Sequence, residues 1–95
     1  MHIQPVHKYL AEFIGTFVFV SVILGTGNFL AIGAVLALCI YVGGPISGGV
    51  FNPAVAIAMM AAGKIPSADI VPYIIAQILG ALLAYEFVKR VVHRR

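Results

Sequence analysis

The sequence predicts an all-α membrane protein of three transmembrane helices and one short re-entrant half-helix, and three observations carry that prediction. The chain of 95 residues is 62% hydrophobic, while Asp, Glu, Lys and Arg make up only 9%. Ordinary globular domains are roughly half apolar and a quarter charged, and a soluble fold this small buries only about 60% of the surface its unfolded chain exposes. The second observation is where the charges are missing: Phe13 to Gly63 has none, and neither does Ile70 to Tyr85. The third is an apolar segment, between the second and third long runs, that is too short to cross a bilayer.

A transmembrane helix needs about 20 mostly apolar residues at about 1.5 Å each. Lys8 to Leu24 supplies the first span, predicted over 8–27 and closed by the turn Gly25-Thr26-Gly27-Asn28. Lys8, an apolar run and then small residues superficially match a signal peptide. Cleavage there would remove a span with a motif of its own, so the segment is read as retained. Phe29 to Val42 supplies the second span, 29–43, with Gly43-Gly44-Pro45 predicting its end because proline lacks an N–H and clashes with the preceding turn. The third span covers 68–90, with Pro72 tolerable in its first turn, and runs into a basic tail over 89–95.

The informative segment is 44–63. It opens with three glycines, two prolines and a serine, which is loop chemistry. It continues as an Ala/Met/Ile run ended by Gly63-Lys64, with Pro53 at a favoured first helical position and Asn52 as cap. A helix of about 11 residues is roughly 16 Å long, half the hydrocarbon thickness. It is too apolar for a water-exposed loop and too short to cross, which predicts re-entry: the loop dips to mid-membrane and the half-helix returns to its own side. Irregular backbone at that depth is tolerated only where it lines a wet cavity or is buried in protein, so a pore is expected. The helix N-terminus would present free N–H groups and partial positive charge, with the Asn52 amide as a further donor. Such a site suits neutral hydrogen-bond acceptors and repels cations.

Pro45-Ile46-Ser47-Gly48-Gly49-Val50-Phe51-Asn52-Pro53-Ala54-Val55 resembles the first Asn-Pro-Ala loop of the aquaporin and aquaglyceroporin (major intrinsic protein) family. Ala11-Glu12-Phe13-Ile14-Gly15-Thr16 resembles that family's first-helix signature, and Tyr73-Ile74-Ile75-Ala76-Gln77-Ile78-Leu79-Gly80-Ala81 its third helix. Three motifs in the right order cover nearly the whole chain, 1–95, as a single half-repeat. The resemblance implies a passive channel for water and small neutral solutes such as glycerol, in the cell membrane, without a cofactor. Family members carry two inverted repeats whose Asn-Pro-Ala loops meet mid-membrane. One repeat therefore implies pairing, most simply as an antiparallel homodimer. Family assembly of four pores side by side then implies eight chains.

The resemblance also distributes roles. Asn52, Pro53 and Ala54 form the pore tip, and Gly48, Gly49 and Val50 offer backbone carbonyls, although the family often has His where Val50 stands. The filter positions fall on Ile32, Ile40, Gly49 and Val55, the last where the second repeat carries an Arg. That is an apolar constriction without a fixed cation, closer to glycerol-type members, and it leaves proton rejection to the helix dipoles. Glu12 is the one acid placed well inside a span, by default a functional candidate. The resemblance makes it a brace accepting from loop amides; a Lys8–Glu12 interface pair is the alternative. Gln77 braces the loop too, since an unpaired amide in hydrocarbon is costly.

Other features read more plainly. Glu86 lies three and four residues before Lys89 and Arg90 and is read as a solvated ion pair. Ala76, Gly80 and Ala84 form a small-residue stripe that packs helices within or between protomers. His2, His7 and His93 flank the spans, and Cys39 is a lone apolar-like residue. The net charge of +3 comes from the ends, and a basic tail beside a span anchors at lipid headgroups rather than at nucleic acid. Lys8 and Lys64 share one side and Lys89, Arg90, Arg94 and Arg95 the other, a two-charge imbalance compatible with insertion both ways. No nucleophile–base pair or metal-ligand cluster points to an enzyme. Two rival readings are a proton-coupled dual-topology exporter using Glu12, and an inactive assembly module needing a different second half.

Overall fold

The computed structural model describes residues 5–93; the expectations placed on His2, Arg94 and Arg95 lie outside them. Four α-helices follow in order: α1 (Pro5–Thr26), α2 (Phe29–Ser47), α3 (Pro53–Ala61) and α4 (Ile70–Phe87). A 3-10 turn over Ser67–Asp69 leads into α4 and a π-turn over Val88–Val92 follows it. Among the described residues, three segments are long and apolar enough to cross a membrane: Val6–Thr26, Phe29–Ser47 and Ser67–Val92.

Local chemistry sets the boundaries. The hydroxyl of Thr26 donates to the Val22 carbonyl at 2.7 Å, and Gly27 turns the chain at a φ of 60°. Asn28 then caps α2, its Oδ1 accepting from the N–H groups of Leu30 and Ala31 at 3.0 Å each. Asn52 caps α3 in the same way, with Pro53 in its first turn. The far end of α3 is closed by Gly63 at a φ of 75°. The N–H of Lys64 donates to the Met59 carbonyl at 2.8 Å and that of Gly63 to Met60 at 3.0 Å, the paired bonds of a Schellman motif. This helix has nine residues, about 13 Å at 1.5 Å per residue.

The second helix corrects the sequence reading. It does not stop at 43 but runs on to Ser47, with Pro45 inside it. Proline removes the N–H that would bond the Tyr41 carbonyl, yet the last turn is held by other means. Gly48 closes it in a left-handed conformation at a φ of 94°, its N–H donating to Gly44 at 2.9 Å. Ser47 is buried, gripped by Glu12 through its hydroxyl and by Tyr73 through its carbonyl. Tertiary contacts outweigh a local breaker signal here.

Within the bundle, α1 packs against both α2 and α4. A Cβ on Gly80 would stand 2.6 Å from the Phe13 carbonyl oxygen and 3.2 Å from the Phe17 nitrogen, so α4 touches the α1 backbone. Ala76 and Ala84 are buried beside it, and the small-residue stripe is an intrachain seam. At one end, Lys8 pairs with Asp69 at 3.0 Å and the Tyr9 hydroxyl donates to Asp69 at 2.8 Å, joining the starts of α1 and α4. Lys8 is thus engaged by Asp69 and not by Glu12. Nearby, Val50, Ala56, Ile65 and Tyr73 form a small core. Most other large apolar side chains, Leu38, Val42 and Leu82 among them, point outward and are exposed.

Candidate functional site

The site is the loop Gly48–Asn52 with the first turn of α3. Its backbone is unusual: Gly48, Gly49 and Phe51 have φ values of 94°, 64° and 54°. Glycine takes this region freely, but a phenylalanine there costs of order 1–3 kcal/mol and persists only when its surroundings over-determine it. Two contacts do so. The Phe51 N–H donates to Glu12 Oε1 at 2.7 Å. Its ring fills a slot made by two glycines on neighbouring helices: a Cβ on Gly15 would fall 2.1 Å from ring carbon Cε1, and one on Gly43 would fall 2.9 Å from Cζ.

Glu12 is fully buried and meets four donors. Its Oε2 accepts from the Ser47 hydroxyl at 2.6 Å and from the Val50 N–H at 3.2 Å. Its Oε1 accepts from Phe51 N–H at 2.7 Å and from Gln77 Nε2 at 2.8 Å. A carboxylate has two oxygens that only accept, so it serves all four at once. Gln77 therefore reaches the loop at second hand, by holding the acid. Tyr73 adds a tie from α4, its hydroxyl donating to the Ser47 carbonyl at 2.6 Å.

Suspended from these anchors is an exposed tip. Gly48, Asn52, Pro53, Ala54 and Val55 are exposed, whereas Val50 and Phe51 are buried. The Oδ1 of Asn52 accepts from Ala54 and Val55 N–H at 2.8 and 3.4 Å. Its Nδ2 makes no hydrogen bond among the described residues, so the donating half of the amide is unspent. The Val50 side chain packs in the core.

Of the four positions expected to form a filter, two are in contact and one is remote from them. Gly49 lies against Ile40, to whose Cα an added Cβ would come within 3.1 Å, and Val55 is on the first turn of α3. Ile32 sits eight residues before Ile40 on the same helix, about 12 Å away along its axis. Beside the tip is a cleft of about 230 Å3 lined by Thr16, Phe19, Val20, Asn52, Pro53 and Gln77 among others. Thr16 Oγ1 and Gln77 Oε1 are buried there without a partner among the described residues.

Sequence reasoning missed Ser47, Phe51, Tyr73 and the slot glycines Gly15 and Gly43. A glycine inside an apolar helix costs about 1 kcal/mol against alanine and signals a close approach. That signal was present at Gly15, but nothing in the sequence named its occupant.

The major intrinsic protein family profile matches residues 26–95. The chain belongs to that family. It is 49% identical over 94 residues to glycerol uptake facilitator protein-like 6 of Lactiplantibacillus plantarum, an alignment covering 90% of this chain and 44% of that protein. It is 41% identical over 93 residues to an aquaporin Z of Brucella melitensis, covering 82% of this chain and 41% of the relative. With an aquaporin Z of Photorhabdus laumondii the identity is 40% over 92 residues, with 81% and 40% covered. The chain thus spans less than half the length of these relatives. Major intrinsic proteins are membrane channels, not enzymes, and with three apolar helices long enough to span, this chain is an integral membrane protein.

Proposed function

We propose that the chain forms half of a passive channel for water and small neutral solutes such as glycerol. In this reading α3 re-enters to mid-membrane, and an inverted second copy completes the pore. One observation carries the proposal: the unspent Asn52 amide at the exposed tip of a short apolar helix, hung from a fully buried acid. A donor fixed in that way can hold a passing hydroxyl oxygen, and the positive helix end beside it disfavours cations. Re-entry is supported by the tip standing beside Thr16, Phe19 and Val20 near the middle of α1. The C-terminal end of α3 leads back to Asp69, which is tied to the start of α1.

Pairing is supported by the filter positions. Ile40 lies against Gly49 and Val55 follows on the first turn of α3, while Ile32 is about 12 Å from Ile40 along α2 and would join such a ring from a second repeat, most simply an antiparallel twin. Four such pairs would make eight chains. The wall would be apolar, which favours glycerol over strict water selectivity. Glu12, enclosed by four donors with no exposed surface, is poorly placed to cycle protons, so the coupled-exporter reading finds no support. Stopped-flow light scattering on liposomes holding only the purified chain tests the proposal. Water and glycerol flux without a proton gradient is expected. Silent liposomes containing folded, correctly inserted chain would refute self-pairing and favour a different second half.

A further inference from the structure

Tyr85, Lys89 and His93 follow at four-residue intervals and share one stripe of α4 and its π-turn. The π-turn is closed by the His93 N–H donating to the Val88 carbonyl at 2.8 Å. The stripe borders a pocket of about 270 Å3 against the end of α1, floored by Leu24 and Val88 and rimmed by Tyr85, Lys89 and His93. The two neighbouring cations differ in what they do. Arg90 is committed to Glu86 at 2.8 Å. Lys89 makes no ion pair among the described residues and holds its ammonium 5.6 Å from the centre of the Tyr85 ring. Val88 is buried, while Lys89 and His93 are exposed.

The geometry points to a binding site for the headgroup of an anionic phospholipid, with the phosphate met by Lys89, His93 and the Tyr85 hydroxyl and an acyl chain laid on Leu24 and Val88. The arguments are chemical and positional. An apolar floor with a cationic rim at the end of a membrane-crossing helix matches a lipid, with tail and headgroup in that order. Interfacial tyrosine and lysine are the side chains that settle at headgroup level. The proposal is independent of how the pore is completed.

The test is native mass spectrometry of the full chain with dioleoylphosphatidylglycerol, against dioleoylphosphatidylcholine as the neutral control. The parent should retain phosphatidylglycerol in preference to phosphatidylcholine. K89Q should lower that retention about fivefold, the weight of one basic residue at an anionic surface, and K89R should restore it. R90Q, which removes a charge already paired with Glu86, should lower it less than K89Q does. Millimolar inorganic phosphate should not displace the lipid; displacement would mean an anion site without lipid specificity and would overturn the proposal. So would equal losses in K89Q and R90Q, the mark of diffuse attraction to a basic tail, or equal retention of the two lipids. Lys89 is exposed and its variants are expected to elute in detergent as the parent does, so each outcome reads on binding.

Discussion

Replacing Glu12 separates two variants whose costs can be worked out bond by bond. Glu12→Gln keeps the shape but exchanges one acceptor oxygen for an NH2 group. If that NH2 faces Ser47 and Val50, the Ser47 hydroxyl can turn to accept from it and donate instead to the Gly43 carbonyl, already 3.4 Å away. Only the Val50 N–H is then stranded, and its bond is the longest of the four. The opposite pose strands the Phe51 N–H, whose bond is 2.7 Å; there Gln77 can flip to offer its unpartnered Oε1. The first pose is cheaper, at about 1–3 kcal/mol for one buried, unpaired donor.

Glu12→Ala offers no such rearrangement. Ser47 can satisfy itself through Gly43, but Val50 N–H, Phe51 N–H and Gln77 Nε2 all lose their acceptor. Three stranded donors cost about 3–9 kcal/mol together, comparable with the 5–15 kcal/mol that holds a typical domain folded. Thermal unfolding in detergent, followed by circular dichroism, should rank the parent above Glu12→Gln and Glu12→Gln well above Glu12→Ala. Folded Glu12→Gln should still conduct, without dependence on a proton gradient. An alanine variant as stable as the parent would refute the bracing argument, and gradient-driven flux abolished in a folded glutamine variant would refute the passive channel.

The other predictions concern the slot and the tip. Gly15→Ala places a methyl 2.1 Å from the Phe51 ring and should expel it, lowering the unfolding midpoint; pairing it with Phe51→Ala should recover part of the loss, and strictly additive costs would show that the two do not touch. Asn52→Asp keeps the oxygen that caps α3 but removes the Nδ2 donor, so the helix should hold while glycerol flux falls; Asn52→Ala should lose the cap as well, about 1 kcal/mol. Equal flux from Asn52→Asp and the parent would remove Asn52 from the solute path. Val55→Arg should reduce glycerol flux more than water flux and lower any proton leak, because a fixed cation narrows the wall and raises the barrier to cations; unchanged flux from a folded variant would show that Val55 does not line the constriction.

How far the sequence could be read depended on whether the deciding interaction was local. Asn28, Asn52, Pro53 and Gly63 act on their own backbone within four residues, and each marks a helix boundary that can be seen in the sequence. Pro45 misled for the same reason: taken locally it ends a helix, but Ser47 is held from α1 and α4, contacts 35 and 26 residues away in the chain. Glu12 was conspicuous because a charge amid apolar residues demands partners, while the partners themselves are ordinary backbone amides and a serine. Phe51 was the least legible residue of all. Its meaning depends on the absence of side chains at Gly15 and Gly43, and a vacancy on another helix leaves no mark in the loop it serves.

These contacts divide the loop into residues that hold and residues that reach. Val50 and Phe51 turn inward, to the core and the glycine slot, and both give their N–H groups to Glu12. Asn52, next in the chain, turns outward and gives only its oxygen to its own helix. Between two inward residues and an outward one there is a single peptide link, so the position of the Asn52 amide is set by Glu12 and the Phe51 ring rather than by the flexible glycines before them. Glu12 is in turn fixed by α1, whose backbone is pressed against α4 at Gly80. A tip built this way inherits the rigidity of the α1–α4 seam. It follows that the seam, remote from any solute, should govern conduction: a side chain at Gly80, whose Cβ would stand 2.6 Å from the Phe13 carbonyl oxygen, would push the helices apart, carry Gln77 away from Glu12, and loosen Asn52 without touching it.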